Sequence, residues 1–442
     1  MSLTAPAFAA LDEVFAPQKP VTLEDTGLSA EAIWSLALKW LYRGELRGTE
    51  LAAGIRLPYG VLEPLLEYLR TQQLVEVKSA AGVGTAGYRY ALTDTGRDRA
   101  RRALDACGYT GPAPVPLAQY TAYMAEVGSH RPRIDQARVA AGFSHLVVEH
   151  DMLDQLGPAI SSGRAVFLYG APGNGKSVMG EAIGRVLGGD IYVPHALDVD
   201  GELVAVFDPV IHQLRGADDE HALIRSDDAV DGRWARIRRP VITVGGELTL
   251  EMLDLRFNSI ASFYEAPVQL KANGGVLVLD DFGRQRVPAR DLLNRWVVPL
   301  EARVDYLNMH TGRKFQVPFE VMIVFATNLE PQSLADEAFL RRIPYKIFAR
   351  NPTYDQYCRI FEMNCRRHQL PYSIALVEHL HDRYYKPRNL QRRGVHPRDL
   401  IDQVVTLCNY RKQAPTITPE LLDTVCASYF IDDGQKGGTS AR

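Results

Sequence analysis

One stretch of this sequence is compatible with very few folds. An apolar run, AVFLY, leads directly into Gly170-Ala171-Pro172-Gly173-Asn174-Gly175-Lys176-Ser177, and an amphipathic helical pattern follows from Val178. An unbroken apolar run of this length reads as a strand buried on both faces, which occurs in parallel sheets covered by helices. The octapeptide fits G-x-x-x-x-G-K-[ST]. Glycines let backbone N–H groups turn inward with no Cβ in the way, and the following helix N-terminus adds partial positive charge. An anion belongs in such a turn. Lys176 has the reach to meet the β- and γ-phosphates of a nucleotide, and the Ser177 hydroxyl is suited to Mg²⁺. A bare Gly-rich turn would need neither flank.

Two more apolar runs end in residues with matching chemistry. In GGVLVLDDFG the strand-like Val276 to Leu279 runs into Asp280 and Asp281. A carboxylate at that strand end can hold Mg²⁺, and its neighbour can orient an attacking water. In VMIVFATN the run ends in Thr327 and Asn328, and an amide there can hydrogen-bond a γ-phosphate or the water.

Composition narrows the class. A chain of 442 residues predicts two or three domains, and 46% hydrophobic with 23% charged residues excludes a mainly disordered or fibrous protein. The apolar runs fall far short of the ~20 residues that cross a bilayer, so no membrane insertion is expected. The start, MSLTAPAFAALDEVF, lacks the basic segment and long apolar run of a secretory signal. Cys107, Cys358, Cys365, Cys408 and Cys426 form no C-x-x-C pair, which fits a reducing cytoplasm better than a disulfide or zinc framework. A net charge of −3 provides no global attraction to nucleic acid or anionic lipid, so any polyanion site is local.

The chain divides by pattern. Residues 1–26 read as a loosely ordered lead. Residues 27–107 read as three helices, a two-stranded wing (LVEVK and YRYAL around SAAGVGTAG) and a closing helix, similar to a winged helix-turn-helix domain. Gly111, Pro112, Pro114 and Pro116 mark a linker over 108–119. Residues 120–350 alternate buried strands with helices, the signature of an α/β layered sheet. Four helical patterns fill 351–432, and a disordered tail is expected over 433–442.

Taken together, residues 120–432 resemble the AAA+ ATPases. The fold class this implies is α/β, a P-loop parallel sheet sandwiched by helices, with a C-terminal helical lid and the N-terminal winged helix. Gly170 to Ser177 match the Walker A motif and, with Val178, are expected to bind nucleotide. Val276 to Asp281 match Walker B, with Asp280 and Ser177 on the metal side and Asp281 where the family usually has glutamate. Asn328 resembles sensor 1, and Arg398 in GVHPRDL resembles sensor 2. Arg341 and Arg342 occupy the arginine-finger position, Arg342 being preferred because it lies nearer the next strand. The resemblance implies ATP and Mg²⁺ as ligands and a homo-oligomeric ring, most commonly a hexamer. A hairpin-like insertion around HTGR is similar to those of the MoxR-like and enhancer-binding-activator branches, although the activators' GAFTGA-type loop is absent.

Other features are less committed. Phe263-Tyr264 reads as core, with a pore loop as the functional alternative. Arg233, Arg236, Arg238 and Arg239 read as a solvated face, with partner or nucleic-acid contact as the alternative. The candidate recognition helix, PYGVLEPLLEYLRTQQ, sets Glu63 and Glu67 against Arg70 alone, and its tip is Tyr59-Gly60. DNA affinity needs cations facing phosphates, so an unidentified protein partner is the favoured reading for this unit and DNA the second.

Overall fold

The computed structural model describes residues 15–80, 84–215 and 229–430. Its centre is a five-stranded sheet in the order Val241–Val244, Val276–Leu279, Met322–Thr327, Val166–Tyr169, Tyr345–Phe348, parallel throughout. Side chains alternate between the faces, so each strand of the sheet contributes to two cores. Val166, Leu168, Val278 and Val324 pack on the helices His150–Ser162 and Lys176–Leu187. Phe167, Leu277, Leu279 and Phe325 face the helix Ala289–Ala302, where Trp296 is fully buried. Burying one such large side chain contributes about 1.5–3 kcal/mol. The fold class is therefore α/β with a parallel sheet between helical layers.

The register sets the level at which the strands stop. Leu279 pairs with Phe325, and Thr327 pairs with Tyr169. Three neighbouring strands thus release their loops at one edge, and those loops begin at Gly170, Asp280 and Asn328. In open α/β sheets this carboxyl edge is where ligands bind.

The long stretch between the phosphate-loop helix and Val241 forms strands. Asp190–Pro194 pairs with Trp234–Arg238, and a second five-stranded sheet runs Arg256–Asn258, Phe263–Glu265, Glu202–Ala205, Ala196–Val199, Val115–Pro116. These strands surround a separate core that includes Tyr120, Tyr123, Leu197, Trp234 and Tyr264. Tyr264 has no exposed surface and Phe263 is half-buried against Tyr109, which fits the core-strand reading of the pair.

Three expectations need correcting here. The lead is not loose over its described part: Lys19 N–H donates to Ala229 O, Asp231 N–H donates to Pro17 O, and Thr22 caps the short helix Leu23–Thr26. Residues 1–14 lie outside the described residues. The linker is not free either. Ala113 N–H donates to Ile55 O, Gly108 N–H to Ala261 O, and Val115–Pro116 adds an edge strand to the second sheet. Backbone donors and acceptors in this segment pair with neighbours because the segment is partly buried.

The third correction concerns the basic run, which is a solvated face at Arg236 and Arg238 only. Arg233 is 1% exposed. Arg236 pairs with Asp190, and Arg239 donates to the carbonyls of Gly188 and Gly274. Alternation along Trp234–Arg238 leaves Arg236 and Arg238 on the exposed face, whereas Arg233, just before the strand, is buried against Asp231.

The N-terminal unit contains the helices Ala30–Leu41, Gly48–Ile55, Tyr59–Thr71 and Asp94–Ala106. A three-stranded antiparallel sheet, Leu46–Arg47, Tyr88–Leu92, Val75–Ala80, completes it. Ser29 caps the first of these helices by accepting from Ala32 N–H. The C-terminal bundle contains Tyr354–Arg367, Ile374–Leu380 with a π-turn through Tyr385, His396–Tyr410 and Pro419–Tyr429. The tail expected to be disordered lies outside the described residues.

Candidate functional site

The loop after Val166–Tyr169 needs its glycines for two reasons. Gly170, Gly173 and Gly175 have φ of 138°, 81° and 74°, a region that side chains rarely adopt. At Gly170 a Cβ would also sit 2.6 Å from Ala349 O. The loop ends as Lys176 opens the helix Lys176–Leu187.

Lys176 is nearly buried, and all three of its ammonium hydrogens are used. It donates to Gly170 O at 2.9 Å, Ala171 O at 2.9 Å and Asn328 Oδ1 at 2.6 Å. Burial pulls its pKa below the usual lysine value, while Asp281 and Asp280 oppose that shift. Asn328 in turn donates from Nδ2 to Asp281 Oδ1 at 2.9 Å. Its amide orientation is fixed by chemistry: the oxygen meets an ammonium that can only donate, and the nitrogen meets a carboxylate. Ser177 Oγ donates to Asp280 Oδ1 at 2.7 Å. Residues from three strand ends thus form one polar chain.

The turn that presents the acids is itself supported. Asp281 has a φ of 46°, which aspartate tolerates better than most residues. Nearly buried Gln285 braces it, accepting from Gly283 N–H and donating to Asp280 O. Thr327, fully buried, donates to Phe282 O. The sequence reading missed Gln285, because a glutamine five residues past an acid carries no motif.

Ser177 and Asp280 offer two hard oxygens within hydrogen-bond distance of each other, which suits Mg²⁺. This ion ordinarily takes one or two protein oxygens and completes its shell with phosphate oxygens and water. The residues present fit such an ion.

The arginines divide differently from the expectation. Arg398 pairs with its neighbour Asp399 at 2.9 Å and is half exposed; among the described residues no contact joins it to the loop. Arg393 does contact the loop, donating from NH1 to Pro172 O at 2.7 Å. The only sequence signal was the basic pair preceding GVHPRDL. Arg342 is drawn back onto Glu301 at 3.0 Å and Ala338 O. Among the described residues Arg341 has only an exposed pair with Glu337, and its side chain is 76% exposed.

Beside the loop lies a small open cleft. Val147, Val148, Met152, Met179 and Ile360 give it apolar walls, and Asn174, Glu149 and Gln356 line it as well. Gln356 Nε2 donates to Glu149 Oε1 at 3.2 Å across it. An apolar slot with a few polar groups suits a planar base.

Residues 353–428 match a family described as a domain of unknown function (DUF8689), a span coincident with the helical bundle. No curated protein matches. Among solved structures, the chain is similar to NtrX from Brucella abortus at 14% identity and a TM-score of 0.39, over 65% of this chain and 56% of that one. It is also similar to the Thermotoga maritima RuvB Holliday junction branch migration motor at 15% identity and a TM-score of 0.37, over 69% of this chain and 74% of that one. This chain therefore spans little more than half of the NtrX chain. At these scores the fold assignment rests on strand order and register, not on the neighbours. Among the described residues no helix is long and apolar enough to cross a membrane.

Proposed function

We propose that this protein is an AAA+ ATPase that binds ATP with Mg²⁺ and hydrolyses it at the subunit interfaces of a ring, using the energy to remodel a partner macromolecule. One observation carries the reading. Lys176, Asn328 and Asp281 form a continuous hydrogen-bonded chain alongside the Ser177–Asp280 pair, at the carboxyl edge of three adjacent strands. That edge collects a phosphate-binding cation, a metal-side acid and a water-orienting acid within one ligand's reach.

In this mechanism the backbone N–H groups of Gly173 to Val178 and the Lys176 ammonium hold the β- and γ-phosphates, and the apolar cleft takes the base. Ser177 and Asp280 would hold Mg²⁺, which would supply neutralisation of the charge that develops on the leaving group. Asp281 accepts a hydrogen bond from the attacking water, and Asn328 keeps that water aligned with the γ-phosphate. Aspartate is one methylene shorter than the family's usual glutamate, so Asp281 reaches less far, and the expected result is slow turnover or action through a second water. The hairpin Val304–Asn308/Lys314–Pro318 ahead of the strand Met322–Thr327 supports the MoxR-like or enhancer-binding-activator branch.

Arg341 is the better candidate for reaching a neighbour's nucleotide, because Arg342 is held by Glu301. Phosphate release should fall by about 10³ in Arg341→Ala, since a finger acting in trans can contribute that much. ATP affinity in a direct titration should change little. Specific activity should also rise with protein concentration as the ring assembles. Concentration-independent turnover, or an Arg341→Ala protein as active as wild type, would remove the trans finger.

The N-terminal unit is read as docking a protein. On the helix Tyr59–Thr71 the solvent side carries Glu63, Glu67 and Tyr68, and Arg70 is taken up by Glu67 at 2.7 Å. Duplex DNA should bind the full chain no more tightly than a nonspecific protein of like charge. Submicromolar binding that weakens steeply with salt would favour an ATP-switched DNA regulator instead.

A further inference from the structure

Asn174 lies in the phosphate-binding loop, yet its side chain points away from the Lys176 chain and is nearly buried. Its Nδ2 donates to Asn351 Oδ1 at 2.8 Å and to Ala349 O at 3.2 Å, and its Oδ1 accepts from Gly394 N–H at 3.4 Å. A backbone carbonyl can only accept and a backbone N–H can only donate, so the amide orientation is unambiguous. These three partners belong to two other parts of the molecule. Ala349 and Asn351 lie in the short connection between the last sheet strand, Tyr345–Phe348, and the first bundle helix, Tyr354–Arg367. Gly394 lies just before the bundle helix His396–Tyr410.

The neighbouring carbonyls are held from the same side. Val395 N–H donates to Gly173 O at 2.8 Å, and Arg393 donates to Pro172 O at 2.7 Å. Packing there is close: a Cβ added to Gly173 would lie 2.6 Å from Val395 Cγ1. Ala349 N–H is in turn bonded to Tyr169 O, at the start of the loop. The loop therefore uses its inner N–H groups for an anion while its outer carbonyls and Asn174 are bound to the bundle and its hinge.

We infer that Asn174 is a positioning residue whose carboxamide couples the phosphate-binding loop to the hinge Ala349–Asn351 and to the helical bundle, so that nucleotide occupancy and bundle orientation are one equilibrium. The inference rests on the nucleotide-binding reading above. Turning loop N–H groups towards phosphates reorients the same peptide planes whose carbonyls Arg393 and Val395 hold. A change in either place is felt in the other, and linkage makes the effect reciprocal. Asparagine suits the position because it offers two donors and an acceptor at once. Aspartate would lack the donors, and serine would offer one.

The test uses the full chain with Asn174→Ala, and with Asn351→Ala, which leaves the loop sequence intact should the first variant fold poorly. Three quantities are measured: ATP affinity by titration, kcat and KM by phosphate release, and hydrogen exchange of residues 393–398 with and without ATP and Mg²⁺. Wild type should bind ATP and slow exchange over 393–398. Asn351→Ala, outside the loop and the cleft, should keep affinity within about tenfold, and both variants should lose most of that ATP-dependent slowing and lower kcat more than KM changes. The double variant should be no worse than the more affected single one, because both cut one connection. Additive effects, or full ATP-dependent slowing in the variants, would overturn the inference. So would an Asn174→Ala protein that binds ATP as poorly as Lys176→Ala, since that marks a ligand contact. Wild type that binds ATP with no change over 393–398 defeats the coupling alone; wild type that binds no ATP defeats the functional reading and the coupling with it.

Discussion

Lys176→Ala is expected to weaken ATP binding by at least about 100-fold, because truncating one partner of a buried charge pair typically costs about 2–5 kcal/mol. The side chain is nearly buried and donates to three oxygens, so its ammonium is held in place at the inner side of the loop. Arg393, the other cation at this loop, is engaged on Pro172 O at the outer edge. The folded protein without nucleotide should lose little stability. Burial already disfavours the ammonium, as its lowered pKa indicates, so removing it relieves a desolvation cost while sacrificing three hydrogen bonds. The matching measurements are a nucleotide titration and thermal melts with and without ATP and Mg²⁺. Wild type should gain several degrees with saturating ligand and the variant none. An unaltered titration curve would mean that the loop is not the nucleotide site.

The second large effect is on stability and comes from a residue with no place in the chemistry. Arg233 uses all five of its guanidinium hydrogens. Nε and one NH2 hydrogen meet Asp231, the other NH2 hydrogen meets Gln119 Oε1, and NH1 meets the carbonyls of Thr26 and Pro114. Gln119 also donates to Asp25 O, so one buried cation ties the lead at Asp25 and Thr26, the connecting segment at Pro114 and the start of the strand Trp234–Arg238 together. Arg233→Met would strand the Asp231 carboxylate in an apolar setting and leave the carbonyls without donors. Breaking a buried pair in this way costs about 3–5 kcal/mol. The urea midpoint should fall accordingly, and proteolysis near residues 108–119 should accelerate. Asp231→Leu combined with Arg233→Met should recover part of the loss, because it removes the uncompensated charge. A single variant with an unchanged midpoint would show that the network holds nothing together.

These two residues also mark what could and could not be read in advance. Lys176 announces itself through spacing: glycine placement, the lysine and the flanking strand and helix all lie within one short segment. Asp280, Asp281 and Asn328 are nearly as legible, since each ends an apolar run too short and too uniform to be anything but a buried strand. Arg233 looked like part of a surface basic run. Its partners Thr26, Pro114 and Gln119 are more than a hundred residues away, and nothing in the local pattern predicts that they surround it. Arg393 and Arg398 show the same limit at closer range. Both lie beside the start of one helix, and which of them meets the loop depends on how the bundle is seated.

The local sequence alone determined that a Gly-rich turn joins a strand to a helix and that two further strands end in acids and an amide. Backbone torsions and side-chain alternation are short-range properties, and a few residues are enough to set them. Only the tertiary structure decided that three strand ends share one level, that Arg393 takes the loop-facing position, and that Asn174 faces the hinge. Those outcomes depend on hydrogen-bond partners and packing surfaces that distant segments supply, and these come together only when the chain is folded.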